Sequence, residues 1–86
     1  MARARRIPKS VHSPEQLAFR ELMIAARDKA DLTQHKLADR LGKPQSFVAK
    51  YEGGERRIDV IEFIRIARAM GTDPVRLFKA LVKRIG

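Results

Sequence analysis

Five helix-start signals punctuate this chain, and nothing between them alternates in the manner of a strand. Ser13-Pro14-Glu15-Gln16 sets a serine at an N-cap, a proline at the first helical position and a glutamine three residues past the cap. Thr33, Asp59 and Asp73-Pro74 supply further caps, and Pro44 marks another helix start. Gly42, Gly53-Gly54 and Gly71 fall where the intervening helices should stop. The pattern predicts an all-α chain of five helices, over about 14–29, 34–41, 44–52, 60–70 and 74–85. Residues 13–86 read as one domain, and residues 1–12 as a flexible basic arm.

Apolar spacing predicts which faces turn inward. Ala18, Leu22, Ala25 and Ala26 lie near one face of the first helix, and Leu37, Ala38 and Leu41 near one face of the second. In the fourth, Val60, Phe63, Ala67 and Met70 follow the 3-4-3 spacing of a buried stripe, with Ile64 and Ile66 beside it. Leu77, Phe78, Leu81, Val82 and Ile85 make a broad apolar face on the fifth. A chain of 86 residues buries only roughly 60–65% of its unfolded surface, so pairing with a second copy would add stability.

Charge narrows the class of partner. Lys and Arg number 19 against 10 Asp and Glu, a net of +9. Residues 1–9 hold Arg3, Arg5, Arg6 and Lys9 with no acid, and residues 72–86 hold four bases against Asp73. Between them 11 bases face 9 acids, so the excess sits at the two ends. An anionic polymer is the first candidate for such a surface. The arm itself has three readings: a solvated tail, a DNA-contacting arm or a targeting signal. It lacks the apolar core of a secretory signal.

Several classes of chemistry find no support. The chain has no cysteine, which excludes disulfides, thiolate metal sites and cysteine nucleophiles. Its longest apolar run, Leu22 to Ala26, is far too short to span a membrane. His12 and His35 are too few and too far apart to suggest a metal site, and both read as solvent-exposed. No carboxylate pair, nucleophile–base set or glycine-rich phosphate loop stands out. No enzymatic role, metal or cofactor is expected.

The informative segment runs from Leu32 to Asp59: LTQHKLADRLGKPQSFVAKYEGGERRID. A short helix, a turn centred on Gly42 and a second short helix match a helix-turn-helix. Ala38 lets the two helices approach, and Leu37, Leu41, Val48 and Tyr51 can anchor them. Gln45, Ser46, Ala49 and Lys50 are then left together on the outer face of the second helix. Glutamine can pair with adenine N6 and N7, lysine donates to guanine, and a small alanine can meet a thymine methyl. Thr33 and Gln34 lie at a helix N-terminus, where free N–H groups favour phosphate. Arg56 and Arg57 would supply charge to the flanking backbone. The bland alternative is an ordinary solvated helix followed by a soluble loop.

Taken together, Arg27, Leu32-Thr33-Gln34, Leu37-Ala38, Leu41-Gly42, Val48, Tyr51-Glu52, Gly54 and Ala67-Arg68-Ala69-Met70-Gly71 resemble the Cro and phage-repressor-like helix-turn-helix proteins, the XRE family. The resemblance runs from about Phe19 to Phe78. It implies a transcription regulator whose third helix enters the DNA major groove and which binds two half-sites as a dimer. It implies that Gln45, Ser46 and Lys50 read bases, that Gln34 contacts phosphate, and that Arg27 and Glu52 form a structural salt bridge. Lys43-Pro44 departs from the family, in which Val, Thr or Ser often precedes the reading helix. Lys43 joins the expected phosphate contacts, while Pro44 removes one N–H from that helix start.

The fifth helix carries more apolar surface than a minimal core needs. Leu81, Val82 and Ile85, with Ile61 on the fourth helix, are the expected contacts of a homodimer; the alternative is a helix folded back over its own core. A palindromic duplex is the expected DNA partner, with no membrane, in a cytoplasmic or nucleoid-associated setting in a bacterium or phage. An antitoxin that binds both a protein toxin and its own operator is the competing function. RNA or an anionic membrane is a further alternative. One tyrosine and no tryptophan disfavour single-stranded RNA, which is held largely by stacking.

Overall fold

A computed structural model describes residues 13–86. The arm expected over residues 1–12, with Arg3, Arg5, Arg6 and Lys9, lies outside the described residues, as does His12. Five helices follow in order: α1 (Pro14–Lys29), α2 (Gln34–Leu41), α3 (Gln45–Glu52), α4 (Val60–Ala69) and α5 (Pro74–Ile85). Among the described residues there is no strand, and no helix is long and apolar enough to cross a membrane.

The caps explain where the helices begin. Ser13 Oγ accepts from the Gln16 N–H at 3.1 Å, Thr33 Oγ1 from Lys36 at 3.1 Å, and Asp73 Oδ1 from Val75 at 3.0 Å. Asp59 and Glu62 form a reciprocal capping box. Each such cap contributes about 1 kcal/mol. The third helix starts one residue later than expected, because Pro44 has an extended ψ of 153° and serves as the N-cap, without a side-chain hydrogen bond. Met70 is the C-cap of α4 and lies just outside the helix.

The α2–α3 turn closes on Gly42, whose φ is +66°. The Gly42 N–H bonds to Asp39 O at 3.1 Å and the Lys43 N–H to Ala38 O at 3.0 Å, which satisfies two orphan carbonyls of α2. The same pair of bonds closes α1, from Asp31 to Asp28 O and from Leu32 to Arg27 O. There the left-handed residue is Asp31, with a φ of +58° and no glycine to ease it.

The core gathers Met23, Leu32, Leu37, Ala38, Val48, Tyr51, Phe63, Ile66, Ala67, Met70 and Leu77. Helix α2 packs on α3 and α4, α1 on α3 and α5, and α4 on α5. Two inward assignments fail. Val60 is 64% exposed, because the first turn of α4 is left uncovered, and the buried face runs Phe63, Ile66, Ala67, Met70. Ala25 is exposed; the buried line of α1 passes through Met23, more than a quarter turn away. On α5 only Leu77 is buried, while Val75, Phe78, Val82 and Ile85 stay exposed and Leu81 is half-buried.

Candidate nucleic-acid interface

Helix α3 is fixed from behind. Val48, Tyr51 and Glu52 are buried, so Gln45, Ser46 and Lys50 stand exposed on the other side, with Ala49 half-buried. Tyr51 packs edge-on against Phe47, with ring centroids 5.6 Å apart and planes at 72°. Burial first, and the neighbouring Glu52 carboxylate second, push the Tyr51 hydroxyl above its ordinary pKa. Its oxygen is buried without a hydrogen-bond partner among the described residues.

A chain of polar side chains ties α3 to α1 and α2. Arg27 Nε donates to Glu52 Oε2 at 2.8 Å and its Nη2 to Glu52 Oε1 at 3.1 Å. Its Nη1 reaches Leu32 O at 2.8 Å, which pins the α1–α2 turn to the same guanidinium. Gln34 Nε2 donates to Glu52 Oε1 at 2.8 Å, and Gln45 Nε2 donates to Gln34 Oε1 at 2.9 Å. The hydrogen bond to Glu52 is the main cause that raises the Arg27 pKa above its ordinary value. Two residues expected to face DNA, Gln34 and Gln45, are therefore joined to each other and to a buried ion pair.

The loop after α3 has its own geometry. Arg56 binds both Glu62 oxygens, Nη1 to Oε1 at 3.0 Å and Nη2 to Oε2 at 2.7 Å. The Arg56 hydrogen bond, then the Asp59 N–H, holds the Glu62 carboxyl below its ordinary pKa. The Arg56 guanidinium also lies 4.9 Å from the Phe47 ring centroid, and Lys43 Nζ lies 5.6 Å from the same centroid. Phe47 thus orients two cations beside α3. Gly54, at a φ of +83°, admits the Arg20 guanidinium where a side chain would otherwise sit. Arg57 is exposed, and Thr33 is exposed with its hydroxyl engaged in the α2 cap.

Sequence reading did not single out Glu62 or Phe47 for this surface. The spacing of Asp59 and Glu62 carried a signal for the capping box, but the grip on Arg56 depends on how the loop folds back. The expected dimer residues are exposed at Ile61, Val82 and Ile85 and half-buried at Leu81.

Comparison with known proteins agrees with this geometry. The helix-turn-helix family pattern matches residues 23–77. Among solved structures, an XRE-family like protein from Pseudomonas syringae pv. tomato is 48% identical, with a TM-score of 0.79 over 85% of this chain and 89% of that one. The wild-type restriction-modification controller protein C.Esp1396I is 19% identical, with a TM-score of 0.78 over 86% and 97%, and shares the fold. The controller protein C.AhdI from Aeromonas hydrophila is 27% identical, with a TM-score of 0.66 over 72% and 90%. No curated protein matches significantly. The chain belongs to the XRE family of helix-turn-helix DNA-binding transcription regulators.

Proposed function

We propose that this regulator binds a specific double-stranded operator as a homodimer, with α3 of each copy in the major groove. Gln45, Ser46, Ala49 and Lys50 read base edges; Thr33, Gln34, Lys43, Arg56 and Arg57 hold the phosphates on either side. Arg56 does so while bound to Glu62, through the donors that pair leaves free. Arg3, Arg5, Arg6 and Lys9 add sequence-independent attraction, which makes affinity strongly salt-dependent. The observation that carries this reading is the two-sided character of α3. Its inner face is locked by Val48, Tyr51 and Glu52, and its outer face carries three exposed polar side chains.

Helix α5 supports the dimer. Val75, Phe78, Val82 and Ile85 recur at i, i+3, i+7 and i+10, and all four are exposed. That is the spacing of an a/d seam, which a second copy of the helix could cover. This row includes Val82 and Ile85 of the four residues proposed for the interface, adds Val75 and Phe78, and leaves Leu81 and Ile61 beside it; Phe78 also stacks edge-on against Phe63 at 6.3 Å. Two copies related by a two-fold axis would read half-sites about 34 Å apart.

Selection of bound duplexes from a random pool tests the function. A palindromic consensus with half-sites about one helical turn apart is expected; enrichment of no consensus overturns sequence-specific binding.

A further inference from the structure

The hydrogen bonds linking α1, α2 and α3 converge on Glu52, which accepts from Arg27 on one side and from Gln34 on the other. Arg27 carries only donors, and it occupies both oxygens of Glu52. A carboxylate carries only acceptors, so the 2.8 Å contact between Glu52 and Gln34 must use the Gln34 nitrogen. The Gln34 oxygen is thereby turned toward Gln45. That oxygen can only accept, so the 2.9 Å contact uses the Gln45 nitrogen. A side-chain amide by itself can sit either way round. Here a carboxylate whose side chain is 4% exposed removes the choice, two links away from the surface.

We propose that Glu52 is a positioning residue for base recognition, fixing through Gln34 which way the Gln45 amide faces the DNA. The proposal rests on the reading of Gln45 as a base contact. One Gln45 N–H is committed to Gln34, which leaves one N–H and the Oε1 oxygen. Adenine presents N6–H and N7 in the major groove, a donor and an acceptor that this pair matches. Guanine presents O6 and N7, both acceptors. The fixed amide can satisfy one of them and sets its oxygen against the other. An unrestrained glutamine could turn both N–H groups toward guanine. The relay therefore discriminates adenine from guanine without Glu52 approaching the DNA.

Binding of the full chain to its selected duplex provides the test, with adenine replaced by guanine, and its partner base to match, at the position whose preference Gln45→Ala abolishes. Gln34→Met removes the middle link and leaves the Arg27–Glu52 pair intact. Glu52→Gln keeps a polar side chain but can donate or accept, so it releases the direction. In both variants the adenine-over-guanine ratio should fall about tenfold, within the discrimination of a bidentate contact. In the free protein, the two side-chain amide proton signals of Gln45 should converge toward solvent-like values in Gln34→Met. Should Glu52→Gln fail to fold by circular dichroism, Gln34→Met decides alone. An unchanged ratio in Gln34→Met, where Gln45→Ala does abolish the preference, overturns the relay and leaves base reading by Gln45 standing. A wild-type preference for guanine at that position also overturns it. No change of preference in Gln45→Ala overturns both.

Discussion

Arg27 and Glu52, twenty-five positions apart in sequence, meet through two hydrogen bonds of 2.8 and 3.1 Å, with side chains only 13% and 4% exposed. The pair holds α1 against the end of α3, so the orientation of the outer face depends on it. Removing one partner strands the other charge in the interior. Arg27→Met and Glu52→Leu are each expected to cost about 3–5 kcal/mol in urea unfolding. The double variant should recover much of that loss, because no unpaired charge remains. Additive losses would show that the pair is not coupled.

Tyr51 gives the opposite expectation. Its hydroxyl is buried with no partner among the described residues, so it loses its hydration and gains no hydrogen bond from them in exchange. Tyr51→Phe keeps the ring against Phe47 and should raise unfolding stability by about 1 kcal/mol. A loss of similar size would show that the hydroxyl has a partner in solution.

Asp31 closes α1 in the left-handed region, at a φ of +58°. A side chain there costs about 1 kcal/mol or more unless a local hydrogen bond offsets it. Asp31→Gly should raise the thermal midpoint, whereas Gly42→Ala, at a φ of +66°, should lower it. Calorimetry on the two variants checks both signs.

Glu62 predicts an acid dependence. Its pKa is held below the ordinary 4.5 in the folded state, chiefly by Arg56 and then by the Asp59 N–H. A depressed carboxylate contributes stability that is full above its unfolded pKa and is lost as pH falls through the folded one. Stability should therefore decline as pH drops below about 4.5, and Glu62→Gln should flatten that decline. An identical slope in the variant would mean that other carboxylates carry it.

Helix positions were largely legible because caps are local. Ser13, Thr33, Asp59 and Asp73 each act within three residues, and all four accept the expected backbone N–H. Pro44 shifted a boundary because φ alone suits a helix, while its ψ is set by the turn before α3. Burial was less legible. Val60 shares a face with Phe63 and Ala67, and only the packing of neighbouring helices shows that its turn is left uncovered. The outer residues of α3 could be read from helical spacing. The Gln45–Gln34–Glu52–Arg27 chain could not, since it joins three helices whose relative placement is tertiary. The same holds for Arg56, whose engagement with Glu62 appears only once the loop has turned.

In the proposed complex the outer face of α3 specifies sequence, while positive charge elsewhere supplies general affinity. Titrating wild type, Gln45→Ala and Lys50→Ala against the selected operator and a scrambled duplex at one salt concentration tests it most directly. Each variant should lose about 1–3 kcal/mol on the operator and much less on the scrambled duplex. Equal losses on the two duplexes would contradict base reading by α3.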